Sequence, residues 1–506
     1  MPSPARFLAA CCLLLPAAAA AQEAPAPSPL DAHRRATAVL DGALAAHGGP
    51  DALRAARTAR VTLEGWDYHR HQSRRAAAPW DSTVRRHALW LDLARGRLVQ
   101  QQTRGYPGGF AYTTRFVSDS ARHYNVDVRA QRYSTEQYPP AETQLGNLNL
   151  LPQFFLAAAL DPQALGRRQW LGERRLPGGG VVEAVLVGLQ NGGQLVLGFD
   201  PATRRLRATM GVSPDLLAGD TEVVTEYHDW RPLGGVLLPA RSATWRGGER
   251  VSALRYVSAS LGEAVPDTLL APPAGFAPLA AAAAADPVAE LAPGVWTIRA
   301  GGSSVLAVAF ADHVAVIDAP PRGTPEVLHR LATLAPGKPV RYAVPTHHHD
   351  DHFQGVRHLA AAGATTLVTP GNADFFRRVV SAPASTLGAW PGRPAPDARV
   401  EVLAGGRRTL GDGTRTVELH DVGPSPHADE MLVAWLPREG ILYHADLIEA
   451  PRGVAQRGAN AETTRHLAEW IRRRGWKVRT FAGAHGTLLS PAEFDDLVAM
   501  PVLPPE

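Results

Sequence analysis

Cysteine is nearly absent from this chain of 506 residues: the only two, Cys11 and Cys12, sit side by side near its start. Lysine is as scarce, with Lys338 and Lys477 alone, so the cationic side chains are almost all arginine. No run approaches the roughly 20 apolar residues that a membrane-spanning helix needs. Long blocks of one charge sign are missing too, and the formal net charge is only +4. The densest basic run, Arg472 to Arg474, precedes Gly475. That is how cations sit in the last turn of a helix before a left-handed stop. These absences argue against a transmembrane span, a disulfide framework and nucleic acid as a partner.

The first 21 residues read as a targeting segment. Arg6 precedes the apolar run Phe7 to Leu15, Pro16 breaks it, and Ala19-Ala20-Ala21 offers small residues for cleavage before Gln22. Leu8-Ala9-Ala10-Cys11 has the look of a lipoprotein cleavage box but follows Arg6 too closely to leave a normal apolar segment. The expectation is a cleaved signal peptide and a periplasmic or secreted protein. Cleavage after Ala21 would leave no cysteine, so any metal would be held by nitrogen and oxygen.

The length suggests two domains. Residues 22–57 hold a flexible lead and an N-terminal helix: Ser28, Pro29 and Asp31 start a helix that should run to about His47, before Gly48-Gly49-Pro50. Residues 58–275 alternate apolar and polar side chains, as at Leu89, Leu91 and Leu93 or Leu195, Leu197 and Phe199. With glycine punctuation, this predicts a mainly antiparallel sheet or half-barrel. His69, His71 and His123 have no ligand-like spacing and read as surface or satisfied polar residues. An Ala/Pro linker is expected over 276–286. From 287 to 500, strand-like and helix-like segments alternate, which predicts an α/β layered domain.

That second half carries the chemistry. Val344-Pro-Thr-His-His-His-Asp-Asp-His-Phe-Gln-Gly355 ends a buried strand with His347, His349, Asp351 and His352 in quick succession. Imidazole and carboxylate at this density suit zinc or another first-row divalent metal. His348, Asp350 and His444 are near in sequence but are expected to lie outside the ligand set.

His-x-His-x-Asp-His-x-x-Gly resembles the signature of the metallo-β-lactamase superfamily, and the resemblance extends over roughly residues 287–495. It implies three further ligands in order, which Asp421-Val-Gly-Pro-Ser-Pro-His427, Ile441-Leu-Tyr-His-Ala-Asp446 and Phe481-Ala-Gly-Ala-His485 fit. The resemblance implies an αββα sandwich with a site at one edge and two metals per chain. His347, His349 and His427 would bind one, Asp351, His352 and His485 the other, and Asp446 would bridge them. Two such cations can acidify a bridging water and polarise the substrate's oxygen. Asp351 would orient that hydroxide as the catalytic residue, and Asp318 would support the ligand loop. Many true β-lactamases of the superfamily have cysteine where this chain has Asp446. Aspartate there is similar to glyoxalase II, lactonase, alkylsulfatase and phosphodiesterase branches. In the first half, Glu226 to Pro239 weakly resembles envelope proteins related to lipoprotein carriers.

The expectation is therefore an exported hydrolase with two zinc ions, acting on an ester, lactone, thioester or related bond of a small molecule. The alternatives are a phosphodiesterase or sulfatase using the same site, and an envelope lipid-binding protein with a secondary metal domain. The natural substrate and the oligomeric state are not legible in the residues.

Overall fold

The computed structural model describes residues 27–501, apart from 108–110, 120–122, 129–130, 135–148, 161–166, 189–193, 279–286, 301, 389–391 and 449–460. The expected signal peptide, and most of both the flexible lead and the linker, lie outside these residues.

The first half is built on one 14-stranded sheet whose strands pair antiparallel, save a short parallel pair at one edge. Thr58–Tyr68 is central, between Ser82–Asp92 and Glu249–Leu261. The helix Pro29–Ala46 starts where Ser28 accepts the Asp31 N–H, and it buries Ala32, Ala36, Val39, Leu40, Ala43 and Leu44. Together with Gln153–Ala158, it covers the apolar part of one sheet face: Leu151 and Phe154 pack on Val61, Leu63 and Leu89. Farther along the same strands the same face turns charged. Leu63 pairs with His87, Gly65 with Arg85, and Arg85 with Arg104. Side chains of one strand face alternate in step, so a single alternation pattern yields a packed end and a polar end.

The second half is an αββα sandwich. A seven-stranded sheet begins at Val288–Ala292, and a five-stranded sheet runs from Arg407–Gly411 to Thr480–Gly483. Leu306, Val308 and Ile317 of the first meet Leu419, Val433 and Tyr443 of the second in one core. Thr324–Leu334, Val356–Ala361 and Ala373–Ser381 cover the outer face of the larger sheet through Val327, Leu331, Leu359 and Phe376. Ala461–Arg474 and Pro491–Ala499 cover the smaller sheet through Leu467, Trp470 and Phe494. The basic last turn of Ala461–Arg474 gives way to Gly475 at φ +67°, the left-handed stop the sequence indicates.

The halves are joined by polar contacts. Arg357 is fully buried and donates to four backbone carbonyls. Those of Val379, Pro383 and Gly392 belong to its own half, and that of Leu216, at 2.6 Å, to the other. Asp220 of the first half accepts the Thr386 N–H at 3.1 Å.

Two stability predictions follow from buried polar groups. Arg357→Met leaves the carbonyls of the buried Val379, Gly392 and Leu216 without their donor, and hydrogen bonds to a charged donor contribute about 1.5–3 kcal/mol each. Chemical denaturation should show a loss of about 3 kcal/mol or more; an unchanged midpoint would refute the role given to Arg357. His47 is buried and accepts the Leu206 N–H on Nε2 at 3.0 Å. Burial, helped by Arg205, pushes its pKa down to about 4. Its stabilising effect is complete above the unfolded value near 6.5 and is lost as pH falls toward about 4. The unfolding midpoint should fall over that window, and His47→Gln should flatten part of the slope.

Candidate metal centre

Strand ends bring the site together. Val314–Ile317 and Val340–Val344 run parallel, as do Ile441–His444 and Thr480–Gly483. Their C-terminal ends therefore open on one edge, where α/β layers commonly place ligand groups. His347, His349, Asp351 and His352 follow the second of these strands, Asp446 the third and His485 the fourth. His427 comes from the loop between Thr416–Asp421 and Leu432–Leu436. Asp318 and Asp446, each just past a strand, have φ of +68° and +52°. Aspartate tolerates this left-handed region better than most residues, at some cost in strain.

All seven expected side chains converge, in two groups that share Asp446. His347, His349, His427 and Asp446 each offer one ligand atom within 4.8 Å of the others, and so do Asp351, His352, Asp446 and His485. His348, Asp350 and His444 belong to neither group. Nitrogens point at nitrogens: His347 Nε2 lies 3.2 Å from His427 Nε2, and His352 Nε2 lies 3.3 Å from His485 Nε2. Asp446 Oδ2 is 2.7 Å from His352 Nε2.

The surrounding groups fix which nitrogen faces inward. Asp318 Oδ1 accepts the N–H and the hydroxyl of Thr346, each at 2.8 Å. The Thr346 hydroxyl oxygen can then accept from His347 Nδ1 at 3.0 Å, which leaves Nε2 as the free donor atom. His352 Nδ1 donates to Asp318 Oδ2 at 3.2 Å, with the Tyr443 hydroxyl 2.9 Å from the same oxygen. A ligand imidazole oriented through its other nitrogen is the usual arrangement at metal sites.

The remaining support comes from the first half of the chain. Residues 69–81 link Thr58–Tyr68 to Ser82–Asp92 and lie along both ligand loops. The Asp350 N–H donates to His71 O at 3.2 Å, and the Asp429 N–H to Arg74 O at 2.9 Å. The Ser73 carbonyl accepts from Nε2 of both His348 and His349 at 2.8 Å. That leaves the buried Nδ1 of His349 without a partner. Gln72 Nε2 donates to Asp350 Oδ1 at 2.6 Å and to Asp351 Oδ1 at 3.0 Å.

Charge follows geometry. Burial, then the neighbouring imidazoles, keep His349 well below its ordinary value, and burial pushes His347 down to about 4, so both are neutral near pH 7. Burial alone would lower His352 too, but Asp446, Asp351 and Asp318 hold it protonated well above the usual range. Burial would raise Asp446, yet His352, His485 and His427 keep it well below the carboxylate range.

The donor set fits a pair of divalent cations. An unpartnered buried Nδ1 on His349, facing imidazole nitrogens and a shared carboxylate, makes an N/O set without thiolate. Asp318 supports the ligand loop through Thr346 and His352, as its position after Val314–Ile317 suggests. Sequence reasoning missed Gln72, Ser73 and Tyr443. His71, read from sequence as a surface or satisfied residue, instead packs 6.5 Å from Phe353 and 6.2 Å from Phe375. Its two ring nitrogens have no hydrogen-bond partner. His69 is buried against the Thr83 hydroxyl at 2.6 Å and His123 contacts the Ser118 hydroxyl at 2.8 Å, both satisfied.

Residues 298–475 match the family model of the metallo-β-lactamase superfamily. Among solved structures, the chain is similar to a metallo-β-lactamase from Pontibacter korlensis, at 20% identity over 42% of this chain and 96% of that one, with a TM-score of 0.33. It is similar also to the metallo-β-lactamase FIM-1 from Pseudomonas aeruginosa in its mono-zinc form, at 18% identity over 42% and 93% of the two chains, with a TM-score of 0.32. The family-model match over residues 298–475, which takes in every converging side chain but His485, places this part of the C-terminal half in the metallo-β-lactamase superfamily and supports a hydrolase.

Proposed function

We propose that this protein is an exported, dinuclear metal-dependent hydrolase that opens an ester, lactone, thioester or related bond of a small molecule. One observation carries the reading: two four-residue donor groups share Asp446 and face an open cleft. Export rests on residues 1–21 alone.

His347, His349 and His427 would hold one cation, Asp351, His352 and His485 the other, and Asp446 would touch both. Bound there, zinc or a similar ion supplies an acidified water and polarises the oxygen of the scissile group. The chain's own residues do the rest. Asp351, whose Oδ2 lies 3.0 Å from His485 Nε2, would be the carboxylate that directs or takes up a proton there. Gln72 fixes the other oxygen of Asp351, so the carboxylate keeps one orientation. The Ser73 carbonyl holds the ring of His349. The cleft, about 910 Å³, is large enough for a small-molecule substrate and is walled by both halves of the chain. Lipid carriage is less favoured, because the apolar part of the N-terminal sheet face is covered by the chain's own helices.

Asp351→Ala and His349→Ala should each lower turnover of a chromogenic ester by at least about a hundredfold. Circular dichroism of the N-terminal sheet should stay unchanged. Activity surviving either substitution would rule out this mechanism. Gln72→Ala should cost about 10- to 100-fold in kcat, the usual penalty for losing a group that orients a ligand. Gln72→Glu should be worse, since it sets a third carboxylate against Asp350 and Asp351. Equal kcat for wild type and both variants would remove Gln72 from the site.

A further inference from the structure

The wall of the cleft contributed by the N-terminal sheet holds more cations than its carboxylates match. Arg85 and Arg104 stand directly opposite each other on paired strands. Like charges in that register are destabilising. They share one carboxylate, Asp67, with Arg85 Nη1 3.2 Å from Oδ1 and Arg104 Nε 3.4 Å from Oδ2. Among the described residues, Arg85 Nε–H has no acceptor. Arg70, by contrast, is matched twice, by Asp215 at 2.6 Å and Glu249 at 2.8 Å. Arg246 donates only to the Pro214 carbonyl, at 3.1 Å, and among the described residues no carboxylate lies within 4 Å of it.

These guanidinium groups are half-buried, not free in solvent. A charge partly removed from water attracts an opposite charge more strongly than one at the open surface. The acids across the cleft do not neutralise them: Asp350 and Asp351 accept from Gln72, and Asp446 faces the histidines. The carboxylate that acts on Arg246 is Asp215, and that group is already engaged by Arg70 at 2.6 Å, so Arg246 is left with a shared counter-charge and the Pro214 carbonyl.

We propose that Arg246, with Arg85 and Arg104, forms an anion subsite that binds a permanently charged carboxylate, phosphate or sulfate group of the substrate, remote from the bond that breaks. This rests on the hydrolytic reading of the same cleft. The planar guanidinium fork pairs with such groups through two parallel hydrogen bonds, which fixes orientation as well as affinity. The substrate then spans the cleft, with its charged end on the N-terminal sheet and its reacting carbonyl or equivalent at the metal centre.

The test uses the zinc-loaded protein and two readouts. Glutarate is titrated calorimetrically into wild type, Arg246→Ala, Arg246→Lys and Arg85→Ala. Affinity should fall at least about tenfold in Arg246→Ala and Arg85→Ala, the loss expected for one charged hydrogen bond, and less in Arg246→Lys. Equal affinity in all four proteins would overturn the subsite. Separately, kcat/KM is compared for the mono-4-nitrophenyl ester of glutarate and for 4-nitrophenyl butyrate. The ratio favouring the anionic ester should drop at least tenfold in Arg246→Ala. A parallel fall for both esters would overturn the proposal. Arginine-dependent glutarate binding with turnover of neither ester would instead count against the hydrolytic reading and leave the subsite standing.

Discussion

Imidazole nitrogens that face each other across little more than 3 Å, around a single carboxylate, make a cluster that protein groups alone satisfy poorly. His347 and His427 meet in this way on one side of Asp446, and His352 and His485 on the other. Thr346 holds the outward nitrogen of His347 and Asp318 that of His352, so the cluster is arranged for cations. The rest of the structure serves this arrangement. Parallel strands end together at one edge, two aspartates adopt left-handed backbone to turn there, and the buried Asp318 braces Thr346 and His352. Asp446, Asp351 and Asp318 hold His352 protonated. Ligation must displace that proton, as it does wherever a metal takes a histidine.

The N-terminal sheet is part of the site and not an appendage to it. Its 69–81 loop contributes the carbonyl that orients His349 and the amide that orients Asp351. Its charged face supplies one wall of the cleft. The sandwich brings the side chains that could hold metal, and the sheet brings groups that hold those side chains still and line the same cleft. Arg357 and Asp220 fasten the two at a distance from the chemistry.

Much of this was legible in the residues, and the reason is physical. Metal ligation needs particular side chains at particular spacings, so His347, His349, Asp351 and His352 announce themselves on one short loop. His427, Asp446 and His485 follow because each sits just past a strand with a clear apolar run. The antiparallel sheet was readable from the alternation at Leu89 to Leu93 and Leu195 to Phe199. What could not be read is what depends on long-range placement. Gln72 and Ser73 are ordinary loop residues, and nothing local sets them against a loop some 275 positions later. His71 looked like a solvated histidine for the same reason. Tyr443 reads as a buried strand residue, and only the meeting of two sheets puts its hydroxyl beside Asp318. Arg246 is one arginine among many until Asp215, the carboxylate that acts on it, is seen paired with Arg70 in three dimensions.

X-ray absorption at the zinc edge of the purified protein, with metal content measured on the same sample, tests the central claim most directly. The account predicts about two zinc ions per chain. Their inner shells should hold only nitrogen and oxygen, with the outer scattering of several imidazoles. Less than one metal per chain, or a sulfur shell around the ion, would contradict it.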